Sequence, residues 1–447
     1  MNMPGATQPR RFCRSGPLHG RILVPGDKSI SHRAIMLASL AVGTSTITGL
    51  LESADVTATA AAMRATGASI EQVKPGVWRI DGVGVGSLLQ PAAALDMGNS
   101  GTSTRLLMGL FASHGIQTVF TGDASLSRRP MGRVIQPLAL MGAQFTVNAD
   151  DTLPLTMRGA DPAVPIHYRL QVASAQVKSA ILLAALNTAG STIVVEPTPT
   201  RDHTERMLRG FGANLSIDIG DDGARIITMQ GPQDLHPCDI EVPGDPSSAA
   251  FFVVAALLVP GSDLTIANVG MNPTRAALLD VLRAMGGSIE EEDHRVIGGE
   301  PVADLRVRHS ELKGIEIDPA STAAMIDEFP ILFVAAALAS GRTVTQGLEE
   351  LRVKESDRLA VMSAALTFAG ASVEEHADGL TIEGTGGAML RGTLPGQSIA
   401  TMLDHRIAMS MAIAGLVSEA GVTVDDMRPV ATSFPQFERL LGDVQCR

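Results

Sequence analysis

Aromatic side chains are scarce, with one Trp, one Tyr and 12 Phe in 447 residues. Glycine is plentiful at 45 residues, and alanine is abundant. Small side chains in place of rings imply helices that pack closely. Cysteine is nearly absent. Cys13, Cys238 and Cys446 lie far apart and no CxxC pair exists. That excludes a disulfide framework or a structural zinc site and fits the reducing cytoplasm. Excess positive charge is also missing: the formal net charge is -12, against the basic face of a nucleic-acid binder. Arg10, Arg11 and Arg14 are followed by no apolar core of a secretory signal. Apolar runs stop short of a membrane span; Ile181–Leu186 meets Asn187 and Gly190 at once. Neither GxxxxGK[ST] nor GxGxxG follows a strand, and HExxH does not occur. ATPase, dinucleotide and zinc-protease chemistry therefore have no support. The histidines are dispersed without metal spacing.

What is present is globular: 45% hydrophobic, 18% charged, and long enough for two domains. One pattern occurs six times. An alanine-rich apolar segment ends in a glycine, and a β-branched run follows. The glycines are Gly43, Gly115, Gly190, Gly261, Gly341 and Gly421, spaced 71 to 80 residues apart. A second pattern keeps the same beat: an amphipathic helix closed by Gly67, Gly142, Gly212, Gly286, Gly370 and Gly442. Each of these glycines fits a left-handed helix cap. Each unit therefore reads helix, strand, helix, strand, an α+β repeat with helices buried over a sheet.

The six units divide as three and three. Pro243-Gly244-Asp245-Pro246-Ser247-Ser248 repeats the opening turn Pro25-Gly26-Asp27-Lys28-Ser29-Ile30. The expected domains are 25–244 and a discontinuous one of 1–24 with 245–447. The strand around Arg21–Val24 belongs to the second, and the first dozen residues are expected to lack fixed structure.

Charged and small polar residues gather just before the apolar helices, where helix starts offer free N–H groups to anions. Pro25–Arg33 sets Lys28, Ser29, Ser31, His32 and Arg33 at one such start, with Ser29 or Asp27 as its cap. Asn99–Arg105, Gln171–Ser179, Met325–Glu328 and Leu403–Arg406 occupy the equivalent places. Asp123–Met131 adds Arg128 and Arg129, and Arg352–Leu359 is densely charged. A solvated, salt-bridged face accounts for Arg352–Leu359 taken alone. Lys28, Arg33, Arg129, Lys354, Arg358 and Arg406 in one cleft would instead suit a small polyanion.

These motifs resemble the 5-enolpyruvylshikimate-3-phosphate synthase family from Arg21 to about Leu440. They are Pro25–Arg33, Gly98–Arg105, Gly122–Arg133, Ser174–Lys178, Arg201–Glu205, Arg352–Leu359 and Asp404–Met409. Met97–Gly101 and Thr200–Glu205 look most like the bacterial class II branch. The resemblance implies an α/β enolpyruvyl transferase fold of two domains. It comprises six βαβαββ units, three per domain about a pseudo-threefold axis, with the active site in an interdomain cleft. It implies a cytoplasmic transferase of the shikimate pathway to chorismate and aromatic amino acids, a target of glyphosate. The enolpyruvyl group of phosphoenolpyruvate would pass to the 5-hydroxyl of 3-phosphoshikimate, releasing phosphate through a tetrahedral intermediate.

By resemblance, Lys28, Ser29, Arg33, Ser174, Ala175, Gln176, Arg201, Asp327 and Lys354 would bind phosphoshikimate. Lys28, Gly101, Arg129, Gln176, Arg358 and Arg406 would bind phosphoenolpyruvate. Asp327, Glu355, Lys28 and Lys354 would be catalytic. The family implies no cofactor, metal, nucleic acid or membrane partner, and a monomer is expected. Two departures stand out. Thr432 occupies a place where many relatives have lysine, with Arg428 as a candidate substitute. Gly101 lacks the methyl group that crowds glyphosate in some tolerant relatives. The sister transferase acting on UDP-N-acetylglucosamine uses a cysteine or aspartate in a mobile loop and lacks the Arg352–Leu359 motif. RNA 3′-phosphate cyclase, which shares related subfolds, needs nucleotide chemistry that no residue set here suggests. A pure anion-binding module leaves Asp327 and Glu355 unexplained.

Overall fold

The computed structural model describes residues 7–445. The chain opens with β1 (Arg10–Phe12) and β2 (His19–Leu23). The first unit is α1 (Lys28–Leu40), β3 (Gly43–Thr48), α2 (Ala54–Ala65), β4 (Ser69–Lys74) and β5 (Val77–Gly82). The second is β6 (Leu95–Asp96), α3 (Gly101–Phe111), β7 (Gln117–Thr121), α4 (Gly132–Leu140), β8 (Gln144–Thr146) and β9 (Leu155–Arg158). The third is β10 (His167–Arg169), α5 (Ala175–Ala185), β11 (Gly190–Glu196), α6 (His203–Gly210), β12 (Leu215–Ile219) and β13 (Arg225–Gly231). After β14 (Ile240–Glu241) comes α7 (Pro246–Leu258), β15 (Asp263–Gly270), α8 (Ala277–Ala284), β16 (Ser288–Ile297) and β17 (Glu300–Arg308). The fifth contains α9 (Thr322–Met325), α10 (Phe329–Leu338), β18 (Ser340–Val344), α11 (Arg358–Phe368), β19 (Ser372–His376) and β20 (Gly379–Thr385). The sixth closes with α12 (His405–Leu416), β21 (Val422–Val424) and α13 (Phe437–Val444).

Four sheets share one strand order: β14-β3-β5-β4, β6-β7-β9-β8, β10-β11-β13-β12 and β2-β15-β17-β16. In each, the strand after the buried helix pairs parallel with a strand from outside that helix turn and antiparallel with the unit's last strand. The helix-strand-helix-strand pattern therefore missed the closing antiparallel strand, seen in β5, β9, β13, β17 and β20. The other two sheets are reduced. In β18-β20-β19 the parallel edge survives only as the bridges Lys313–Ser340 and Glu316–Val344. In the sixth, β21 pairs with β1 from the chain start and bridges Ile399 to Val424. Arg10–Phe12 are thus ordered, contrary to expectation, because they complete a sheet 410 residues downstream.

Two compact units emerge. One is 26–242 with the turn 297–299, and the other is 7–25, 243–296 and 300–445. Nothing in the sequence marked 297–299 for the first unit. Each unit has its own core. The apolar helices are buried all round: every residue of α10, and every residue of α7 after Pro246, as uniformly hydrophobic helices require. Pro319–Leu338 has the length and composition to cross a membrane, but 78% of its apolar window is buried within its unit.

Small residues set the helix spacing. A Cβ on Gly109 of α3 would lie 2.4 Å from the backbone of Ala180 on α5, so only glycine permits that approach. Five of the six expected helix-closing glycines have φ between +88° and +110°. Gly442 does not. It lies inside α13, whose last residue, Val444, is only two residues further on.

Candidate active site

In the compact unit 26–242, three buried helices, α1, α3 and α5, present their first turns. Asp27, not Ser29, caps α1, its carboxylate accepting from the Ile30 N–H at 2.9 Å. Lys28 is therefore the first helical residue, and its ammonium contacts Asp55 of α2. Arg33, one turn on, is buried. It donates to the Thr204 hydroxyl (2.6 Å), the Ser179 hydroxyl (2.8 Å) and the Ser29 carbonyl (2.9 Å). Ser100 caps α3, which makes Gly101 its first residue. Ser174 caps α5, which begins Ala175-Gln176. Gln176 joins these two starts, accepting from Arg105 Nη1 at 2.9 Å and donating to Thr102 at 3.1 Å. Arg129 is held by the Asn99 amide oxygen at 2.7 Å and by Ser125 at 3.1 Å. A Cβ on Gly101 would stand 3.1 Å from Arg105 Nη1 and 3.4 Å from Arg129 Nη1. Gly101, Arg105, Arg129 and Gln176 thus form one cluster. Arg201 lies in the loop before α6.

A neutral relay backs these starts. His32 Nδ1 lies 2.7 Å from the Thr59 hydroxyl, and Thr59 lies 2.6 Å from the Ser103 hydroxyl. Burial, then the charges of Lys28 and Arg33, push the His32 pKa well below the usual imidazole range against the pull of Asp27. His32 is therefore a neutral packing and hydrogen-bonding group.

In the compact unit that contains 300–445, Arg358 is the hub. It is the first residue of α11, behind its cap Asp357, and its side chain is 1% exposed. Its guanidinium donates to Asp404 (2.8 Å), Glu355 (2.6 Å) and Asp327 (3.3 Å). Burial lowers the Arg358 pKa, but the charges of Asp404, Glu355 and Asp327 outweigh it and hold the pKa above its ordinary value. For Asp404 burial pushes up, and the nearby Arg358 charge wins, holding the carboxyl below its usual range. Lys354 Nζ lies 3.6 Å from Asp327. Arg406 donates to the Asp327 carbonyl at 2.9 Å, and Asp404 caps its helix. Asp327, Lys354, Glu355, Arg358 and Arg406 are therefore brought together.

Arg352 behaves differently. It is spent on Asp357, Glu375 and the carbonyls of His376 and Ala377. The reading as a solvated, salt-bridged face holds for that end of Arg352–Leu359; at Arg358 the salt bridges are there but the solvent is not. Arg428 is held by buried Asp426, with Nε 2.9 Å from both oxygens. Its charge is matched by that carboxylate, as the charge of Arg358 is by three.

Several groups were not singled out from the sequence. Asp55 on Lys28 gave no signal beyond an ordinary helix first turn. Asp404 was visible as a cap residue but not as the partner of Arg358. Glu328 accepts from Ser247 and lies 3.7 Å from Arg406. Among the described residues, no group of three or more His, Cys, Asp or Glu could hold a metal ion.

The model of EPSP synthase (3-phosphoshikimate 1-carboxyvinyltransferase) matches residues 13–441. The chain belongs to the EPSP synthase family. A 3-phosphoshikimate 1-carboxyvinyltransferase from Novosphingobium aromaticivorans is 70% identical over 97% of this chain and 98% of its own. One from Zymomonas mobilis is 61% identical over 98% of each. The solved EPSP synthase of Acinetobacter baumannii superposes with a TM-score of 0.86, at 45% identity over 98% of both chains. The enolpyruvyl transferase NikO from Streptomyces tendae shares the fold at 18% identity and a TM-score of 0.76. The two-part α/β repeat of this chain is thus the EPSP synthase architecture.

Proposed function

We propose that the chain carries out the family reaction with the two clusters described above. It transfers the enolpyruvyl group of phosphoenolpyruvate to the 5-hydroxyl of 3-phosphoshikimate and releases phosphate. The observation that carries the residue assignment is the Arg358 hub, which sets two partly exposed carboxylates beside Lys354 and Arg406.

Lys28, Ser29, Arg33, Ser174, Ala175, Gln176 and Arg201, with Asp327 and Lys354, bind phosphoshikimate. Lys28, Gly101, Arg129 and Gln176, with Arg358 and Arg406, bind phosphoenolpyruvate. Asp327 accepts the proton of the 5-hydroxyl as its oxygen bonds to C2. Glu355 or Lys354 delivers a proton to C3, and a tetrahedral adduct forms. Loss of a proton from the new methyl group then breaks the C2–O bond to phosphate, which leaves. The catalytic cations, Lys28 among them, neutralise charge that builds on the adduct. The proposed contacts to each substrate come from both units, so turnover requires the units to meet around the substrates. Solution scattering should show compaction when both ligands bind, and unchanged dimensions would contradict this.

Met97–Gly101 and Thr200–Glu205 favour the class II branch, and the chain acts as a cytoplasmic monomer; light scattering at working concentration tests the oligomeric state. The reaction itself is tested by phosphate release. The chain should release phosphate only when phosphoenolpyruvate and 3-phosphoshikimate are both supplied. Release with UDP-N-acetylglucosamine in place of phosphoshikimate would refute the assignment.

A further inference from the structure

The third repeat, within the compact unit 26–242, holds a sealed ion cluster that the proposed substrate contacts leave unused. Lys178 Nζ lies 2.8 Å from Glu196 Oε1 and 2.8 Å from Glu205 Oε1, and the three side chains are 0%, 0% and 1% exposed. Arg225 of β13 adds a cation 3.5 Å from Glu196 Oε2. Two cations thus face two carboxylates. Desolvating such ions costs several kcal/mol each, and well-packed apolar residues often serve stability equally well. Alignment is the better account of their presence.

Each member sits on a different segment. Lys178 lies one turn beyond Ser174–Gln176 on α5. Glu196 ends β11, and Glu205 lies in the first turn of α6. Between Glu196 and α6 runs the loop that carries Arg201. Glu196 also accepts from the N–H of Thr200 at 3.0 Å and from its hydroxyl, fixing the residue next to Arg201. The neighbouring pair continues the seam. Ser179 and Thr204 hydroxyls lie 2.7 Å apart, and Arg33 donates to both. Lys178-Ser179 on α5 is thereby zipped to Thr204-Glu205 on α6.

We propose that Lys178 is a positioning residue for phosphoshikimate. Shared by Glu196 and Glu205, it fixes the separation between the Ser174–Gln176 turn and Arg201 without touching substrate. This rests on the reading that those residues bind phosphoshikimate. Most proposed phosphoenolpyruvate contacts lie elsewhere, so the two Michaelis constants should respond unequally.

The test measures kcat and both KM values in the full chain for Lys178→Met, Glu205→Gln and Arg201→Ala. Lys178→Met is expected to raise KM for phosphoshikimate about tenfold, and Glu205→Gln by several-fold, with KM for phosphoenolpyruvate changed less than about threefold. Should Lys178→Met fail to fold, Glu205→Gln, which keeps the Lys178–Glu196 pair, decides. An unmoved phosphoshikimate KM in every folded variant, or an equal rise in both constants, overturns the proposal whatever happens to the melting temperature. Arg201→Ala separates two failures. A raised KM there, beside unmoved values for Lys178 and Glu205 variants, sinks the positioning role alone. An unmoved KM there as well sinks the binding assignment of Arg201.

Discussion

Lys178 and Arg358 are the same device used for two ends. Each is a buried cation near a helix start, tied to more than one carboxylate. Around Lys178 the carboxylates of Glu196 and Glu205 are sealed from solvent. Around Arg358, Asp404 is sealed, whereas Asp327 is 15% and Glu355 23% exposed. A sealed carboxylate can only hold segments in place. One that is held on its inner side and open on its outer side can trade protons with a bound substrate. On the proposed assignment, exposure divides the carboxylates that hold segments from those that exchange protons.

The largest effects should come from the open pair. Asp327→Ala and Glu355→Gln should each cut kcat by about two to four orders of magnitude, with smaller changes in KM, as read by phosphate release. Normal turnover by both variants would refute their roles.

Next comes the hub itself. Arg358→Met leaves Asp404 buried without its main cation, a loss on the order of 3–5 kcal/mol by denaturant titration. Its pH dependence sharpens the point. Asp404 has a lower pKa folded than unfolded. Its stabilisation is therefore full above the unfolded carboxyl value, about 3.9, and is lost as pH falls through the lower folded value. Without Arg358, burial should raise the Asp404 pKa above the unfolded value. The variant should then gain stability relative to wild type as pH falls toward 4. A constant difference between the two curves across that window would contradict the assignment of Asp404 to Arg358.

The smallest effect is at Gly101. A methyl group there crowds the tip of Arg105 at 3.1 Å and only touches that of Arg129 at 3.4 Å. Both ends are flexible, so Gly101→Ala should cost on the order of 1 kcal/mol, seen as a several-fold rise in KM for phosphoenolpyruvate. An unchanged KM would remove Gly101 from that subsite.

The repeat was legible because its cause is local. Apolar helices closed by glycine, and capped starts, are written in consecutive residues, so six units could be counted. The closing antiparallel strands were not: β5 does alternate, with Trp78 and Ile80 buried about exposed Arg79, but its signal is shorter than the helix-and-glycine beat that defines the repeat. Borrowed strands were the hardest: β1 completes a sheet with Val422–Val424, a partnership that no local pattern records. Gly442 shows the opposite error, a glycine in phase with the repeat that performs no turn. The placement of candidate residues was legible where motif and helix start coincide, as at Lys28, Ser174 and Arg406. Exposure was not. Arg358, with Arg352–Leu359 taken alone, reads as one of several charges on a solvated face until the fold buries it, and nothing local marks Glu196 and Glu205 as the partners of Lys178.

The most direct test sets Glu355→Gln beside Glu205→Gln in the same phosphate-release assay, since each removes one carboxylate charge from a buried cation. The account predicts a collapse of kcat in the first. In the second it predicts a preserved kcat with a raised phosphoshikimate KM. Equal losses of kcat in both would contradict it.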